Sequence, residues 1–273
     1  MIFMAKLDKS ALFEKLIPVL LLATIGLSFF VGTLWQKVQN LEKGGVAGTT
    51  TTAGTQQQAQ QAAPKATLEQ IKNVWSKNVI KFGDANSKVL FVEIGDPSCP
   101  YCHVAAGKDP ELNAQVGDKF KLVADGGSYV APVIEMRKLV EAGKAAFAYV
   151  YYPGHGNGEM ATKALFCAQE KDKFWEAHDL LMNNAGYELQ NNVVKNDKAQ
   201  SGKVADFLKG AVDATFMKEC LDSGRYDSAL QENVAIATDL GVQGTPGFYV
   251  NETMYPGAYS YTDMQASVDA LLK

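Results

Sequence analysis

From Thr67 onward, short apolar runs alternate with segments whose apolar residues recur every three or four positions. That is the pattern of strands separated by helices. Thr67-Leu68-Glu69-Gln70 has the form of a capping box, and Leu68, Ile71, Val74 and Trp75 form one apolar face behind it. Strands are predicted at 79–82 and 89–94, parted by the turn Gly83-Asp84-Ala85-Asn86-Ser87. Asp96-Pro97-Ser98 then breaks the second strand, because Pro97 cannot continue a ladder and Ser98 suits an N-cap. A helix follows at Cys99. Signals are mixed over 109–125 and turn-like over 125–128. Helical spacing returns over 132–144, ending near Gly143, and 146–152 reads as a strong strand. After the glycine-rich stretch 154–158, helices are predicted at 159–170, 173–184, 203–209, 214–222 and 226–240. The chain closes with a tight turn around Gly244-Thr245-Pro246, where a cis bond is plausible, then strands at 247–250 and 254–257 and a helix at 262–272.

The first 66 residues follow other patterns. Leu16 to Trp35 is a run of 20 residues without a charge, which as a helix reaches about 30 Å, the thickness of a bilayer's hydrocarbon core. Lys6, Lys9 and Lys15 precede it and fewer cations closely follow, so 1–15 is expected on the cytoplasmic side and the rest outside. Cleavage at later Ala/Gly sites is the alternative to an uncleaved anchor. Residues 36–66 are rich in Gly, Thr, Gln and Ala and read as a flexible linker, leaving 67–273 as the folded domain.

Composition adds exclusions. A net charge of −4 and a pI near 5.5 leave no basic footprint for nucleic acid. A hydrophobic content of 47% is ample for a core.

The candidate chemistry sits at the strand-to-helix junction. Cys99 and Cys102 fall on the first turn of a helix, where orphan backbone N–H groups and the positive dipole end favour a thiolate. Cys99 is expected to be the exposed, activated sulfur and Cys102 its resolving partner. Glu93, an acid inside an apolar strand beneath them, is expected to be desolvated and to relay a proton to or from Cys102. Cys99-Pro100-Tyr101-Cys102-His103 also has the form of a c-type haem attachment site. Zinc would need a second ligand pair, and the sequence has no other C-x-x-C, so no metal is expected. Cys167 and Cys220 lie in apolar helical contexts, where two buried thiols or a disulfide are both possible. An oxidising compartment favours the disulfide.

The stretch from about residue 78 to the end resembles the DsbA-like thiol–disulfide oxidoreductases, particularly their membrane-anchored, extracytoplasmic branch. The resemblance rests on Glu93, Cys99-Pro100-Tyr101-Cys102, Gly244-Thr245-Pro246, and two segments of the insertion, 173–181 and 220–226. Tyr101 stands where the strongest oxidants carry His, and 107–144 looks longer than usual. The resemblance implies an α/β thioredoxin-like fold with a helical insertion at about 155–240, preceded by one transmembrane helix. It implies a monomer that introduces disulfides into exported proteins bearing free thiols. No cofactor is expected beyond the redox-active Cys99–Cys102 disulfide. Thr245, Pro246, Pro100 and Tyr101 are expected to contact substrate, and a membrane partner, quinone-linked in the family, to reoxidise the enzyme. Isomerase or reductase activity, a haem electron carrier and a redox-inactive peptide-binding module are the alternatives.

Overall fold

The computed structural model describes residues 66–273. The expected membrane span at 16–35, and all but the last residue of the linker at 36–66, lie outside the described residues. No helix among those described is long and apolar enough to cross a membrane.

The described chain opens with α1 (Leu68–Asn73), whose N-cap Thr67 forms the anticipated capping box with Gln70. Two strands follow, β1 (Ile80–Phe82) and β2 (Val89–Gly95), the second buried at every position. Next come α2 (Pro100–Ala106), α3 (Pro110–Gln115), α4 (Pro132–Glu141) and β3 (Ala145–Tyr151). A helical insertion comprises α5 (Glu159–Gln169), α6 (Phe174–Leu181), α7 (Asn184–Glu188), a π-helical turn at Leu189–Val194, α8 (Ser201–Leu208), α9 (Ala214–Ser223) and α10 (Asp227–Asp239). The hairpin β4 (Gly247–Val250) and β5 (Thr253–Pro256) and the helix α11 (Tyr261–Leu272) complete it.

Among the described residues the sheet runs β1-β3-β2-β4-β5, with β2 parallel to β3 and antiparallel to β4. The β2–β3 connection is a crossover carrying α2 to α4, as a parallel pair requires. Both sheet faces are covered. Phe91, Phe147, Tyr149 and Phe248 pack with Leu165, Phe174 and Met264 on one side. Leu90, Val92, Ile94 and Tyr249 pack with Ile71, Ala237 and Leu240 on the other. That is why β2 and β3 read as continuous apolar runs rather than alternating ones. Each large apolar side chain of β2 contributes roughly 2 kcal/mol by leaving water. Buried polar groups finish the strand ends: Asn251 accepts from the Leu90 N–H at 2.8 Å, and Asn233 accepts from the Tyr151 N–H at 2.9 Å.

Several expectations change. Ser98 does not cap α2; Cys99 is the N-cap residue and Pro100 occupies the first helical position. The unassigned region 109–125 contains α3, capped by the Asp109 side chain, and two single 3-10 turns, Asp118–Phe120 and Val123–Asp125. The helix expected over 173–184 runs over Phe174–Leu181 and stops short, because Asn183 caps a new helix that begins at Asn184.

Candidate active site

β2 ends at Gly95, and the chain turns sharply so that the Cys99 N–H donates to the Asp96 carbonyl at 2.9 Å. The Asp96 side chain holds this turn from within. Its Oδ1 accepts from the N–H and hydroxyl of Ser98, at 2.8 and 2.7 Å, and its Oδ2 from the N–H groups of His155 and Gly156, at 2.7 and 3.2 Å. The Ser98 hydroxyl in turn accepts from the Asn157 N–H at 3.0 Å. The cysteine turn and the glycine-rich loop after β3 are therefore one polar unit. Asn191 joins it from the π-helical turn of the insertion, donating to the Ser98 carbonyl at 3.1 Å and accepting from Asn157 at 3.1 Å. Sequence reading passed over Asp96, Asn157 and Asn191. Asp96 and Ser98, two residues apart before a helix, carried a turn signal, whereas nothing local marked Asn191.

Cys99 is only 6% exposed, less than a helix start suggested, because the turn preceding β4 lies over it. Its thiol donates to the Thr245 carbonyl at 3.4 Å, and Thr245-Pro246 is a cis peptide. The Cys99 thiol is held down to about 6, first by a hydrogen bond from Cys102. Burial opposes this, while the Thr245 hydroxyl and the backbone at Tyr101 and Cys102 support it. Cys102 is wholly buried, and its sulfur accepts from the Asp96 N–H at 3.4 Å. Burial, and then the neighbouring Cys99, push the Cys102 thiol well above its ordinary value. Two sulfurs three residues apart are thus driven in opposite directions, the arrangement that separates an attacking thiolate from a resolving thiol.

Glu93 lies on the same strand with no exposure and with neither carboxyl oxygen hydrogen-bonded. Burial raises it to about 8, so the carboxyl is protonated at neutral pH and titrates close to it. Tyr101 is 43% exposed, its ring edge-on to Phe120 at 5.7 Å. Together with Tyr129, Thr245, Gly257 and Tyr259 these rings line a groove of about 760 Å³ beside Cys99. Phe120 and Tyr129 belong to the long segment before α4, which therefore builds a wall of that groove. Pro246 is buried behind Thr245, its carbonyl accepting from the Gly257 N–H at 2.8 Å, and Pro100 is half-buried at the helix start.

His103 points inward rather than to an open face. Its ring nitrogens lie 2.9 Å from the Met182 carbonyl and 2.7 Å from the Pro97 carbonyl, and burial lowers it to about 4. The imidazole is neutral at pH 7, so it donates to one of these two carbonyls. His155 contributes its backbone to Asp96, and His178 is buried with its ring stacked on Phe174. Among the described residues no three His, Cys, Asp or Glu side chains are placed to hold a metal ion. In the insertion, Cys167 of α5 and Cys220 of α9 form a disulfide with a Cα–Cα separation of 6.1 Å.

Comparison with known proteins agrees with this geometry. The family profile described as thioredoxin matches residues 134–270, half of the chain. The chain belongs to the thioredoxin family. The matched stretch carries β3, the insertion, the cis-proline turn and α11, and begins after the cysteine helix. With its helical insertion between β3 and β4, this thioredoxin-family chain resembles DsbA-like thiol–disulfide oxidoreductases. It is 22% identical over 197 residues to disulfide bond formation protein D of Bacillus subtilis (strain 168), covering 70% of this chain and 76% of that protein. A thioredoxin-like oxidoreductase from Silicibacter pomeroyi DSS-3 superposes with a TM-score of 0.51 at 20% identity, covering 75% of this chain and 97% of the other. The thiol-disulfide exchange protein alpha-DsbA2 from Wolbachia pipientis gives 0.51 at 17%, covering 75% and 93%. These two likenesses are of fold.

Proposed function

We propose that this enzyme introduces disulfides into exported proteins, with Cys99 and Cys102 as its redox pair. The observation that carries the reading is the placement of two free cysteines at one helix start, Cys99 against the Thr245 carbonyl of the cis-proline turn and Cys102 wholly buried on the Asp96 N–H. A substrate thiolate attacks Cys99 in the oxidised enzyme and Cys102 leaves. A second substrate thiolate then displaces Cys99, giving oxidised substrate and reduced enzyme. A stabilised Cys99 thiolate is a good leaving group and favours the reduced enzyme, which makes it an oxidant. At pH 7 a thiol at about 6 gains roughly 1.4 kcal/mol over an ordinary one, about 30 mV in a two-electron couple. Glu93 serves as proton relay to Cys102. Thr245 receives the substrate backbone by strand addition, Pro246 fixes the turn behind it, and Pro100 and Tyr101 stand at the rim. The open, aromatic-walled groove supports broad selection of unfolded chains.

The redox pair supplies the chemistry without a further cofactor. The apolar run at 16–35 tethers a monomeric catalytic domain on the outer side of the membrane, and a quinone-linked membrane protein reoxidises it. The Bacillus subtilis relative, named for disulfide bond formation, supports the oxidising direction. The test is oxidation of a dithiol peptide. Cys99→Ser is expected to abolish turnover and Cys102→Ser to accumulate mixed disulfides with the peptide. Full turnover by Cys102→Ser would overturn the roles, and a glutathione equilibrium as reducing as that of a reductase would overturn the direction.

A further inference from the structure

Three buried polar atoms have no protein partner on the strands next to Cys102: both carboxyl oxygens of Glu93 and the hydroxyl of Tyr149, each close enough to interact electrostatically with Cys102. Both residues are wholly buried. Glu93 on β2 is the Cα partner of Tyr149 on β3, so their side chains leave the same sheet face about 5 Å apart. Gly95, two residues further along β2, shares that face. A Cβ there would lie 2.8 Å from Cε2 of Tyr149 and 3.0 Å from its hydroxyl oxygen, so the ring lies over Gly95 and only glycine leaves it room. The next residue, Asp96, donates its N–H to the Cys102 sulfur at 3.4 Å. The hydroxyl and the sulfur therefore stand at the same two residues of backbone. An unpartnered buried hydroxyl is costly, a penalty that Phe would avoid in the same space.

We propose that Tyr149 is a positioning residue of the exchange reaction, donating its hydroxyl hydrogen bond to the Glu93 carboxylate that forms when Cys102 leaves. This rests on the relay role given to Glu93 above. In the first step a substrate thiolate forms a bond to the Cys99 sulfur as the Cys99–Cys102 bond breaks. The electron pair goes to Cys102, which takes the proton of the Glu93 carboxyl, leaving a mixed disulfide, a Cys102 thiol and a Glu93 carboxylate. A lone carboxylate in this apolar site is costly. Tyr149, paired with Glu93 across the strands, carries a buried hydroxyl with no partner. Burial, and then the neighbouring Glu93, push the Tyr149 phenol well above its ordinary value, so it keeps its proton throughout. The titratable groups facing it are Glu93 from β2, Cys102 from α2, Asp96 from the turn and Tyr151 from its own strand; α6 presents the Phe174 ring at 6.1 Å.

The test compares the oxidised wild type, Tyr149→Phe, Glu93→Gln and the double variant in the single-turnover oxidation of a dithiol peptide, from about pH 5 to about pH 10. Loss of a donor to the charged form should move the Glu93-dependent inflexion up by about one pH unit and slow the step about tenfold at neutral pH. Glu93→Gln should lack the inflexion, and the double variant should match it, because Tyr149 acts through Glu93. Ultraviolet absorbance of the Cys99 thiolate should titrate unchanged in Tyr149→Phe, which separates this effect from general disturbance of the site. An unmoved inflexion in Tyr149→Phe, or slowing that persists in the Glu93→Gln background, overturns the inference alone. An inflexion that survives Glu93→Gln overturns the relay reading beneath it as well.

Discussion

At the scale of single residues, Glu93 shows how the site stores a titration at the expense of stability. Its carboxyl rises from an ordinary 4.5 to about 8 because burial disfavours the charged form. A folded value above the unfolded one means that its contribution is fully present below about pH 4.5 and is lost as pH rises through about 8. The integrated cost by pH 8 is of order 4 kcal/mol. Glu93→Gln is therefore expected to be more stable than the wild type in urea at pH 8 by a few kcal/mol, with the difference shrinking toward zero near pH 4. A difference that does not change with pH would mean that Glu93 is not buried as a neutral acid. This much was legible in the sequence, since an acid within a run of Val, Leu, Phe and Ile has no partner in reach. Tyr149 was not: an aromatic residue in a strand reads as core packing, and only register with Glu93 and the vacancy at Gly95 give its hydroxyl a meaning.

At the scale of elements, the strands and long helices were legible because burial on both sheet faces makes continuous apolar runs and the helices carry 3–4 spacing. The 109–125 segment was not, because its short helix and turns are held by caps and tertiary contact rather than by a periodic face. Asp109 caps α3 through the Leu112 N–H at 3.0 Å, and Asn113 donates to the carbonyls of Val104 and Phe120 at 3.2 and 3.0 Å. The π-helical turn escaped for the same reason: its role is to aim Asn191 at Ser98, which requires the folded partner. Within the insertion, the Cys167–Cys220 disulfide closes a loop with a sequence separation of 53. Replacing both cysteines by Ala should cost about 4 kcal/mol in the chain-entropy model, less whatever the native contacts return. Urea unfolding of the double variant measures it. The Thr245 side of the active site lies on separate elements, so the initial rate of peptide oxidation is expected to stay within about twofold. Equal stability with and without the pair would assign the two sulfurs to packing alone.

At the scale of the whole molecule, that second disulfide gives the enzyme a biosynthetic history. On the redox role proposed above, its four cysteines divide into two that cycle and two that close once. Exported as proposed, a newly made copy would arrive with Cys167 and Cys220 as thiols, a client of the chemistry proposed for finished copies. Maturation is then expected to be self-seeding. Reduced, unfolded protein should regain the Cys167–Cys220 bond after a lag, and a trace of finished enzyme with an oxidant for it should abolish that lag, whereas a Cys99→Ser seed should not. Peptide mapping of alkylated samples over time reads the outcome, and a time course indifferent to the seed would show that each copy closes its own loop. If the seed is required, a population of this enzyme that is once fully reduced and unfolded recovers slowly at first and then all together.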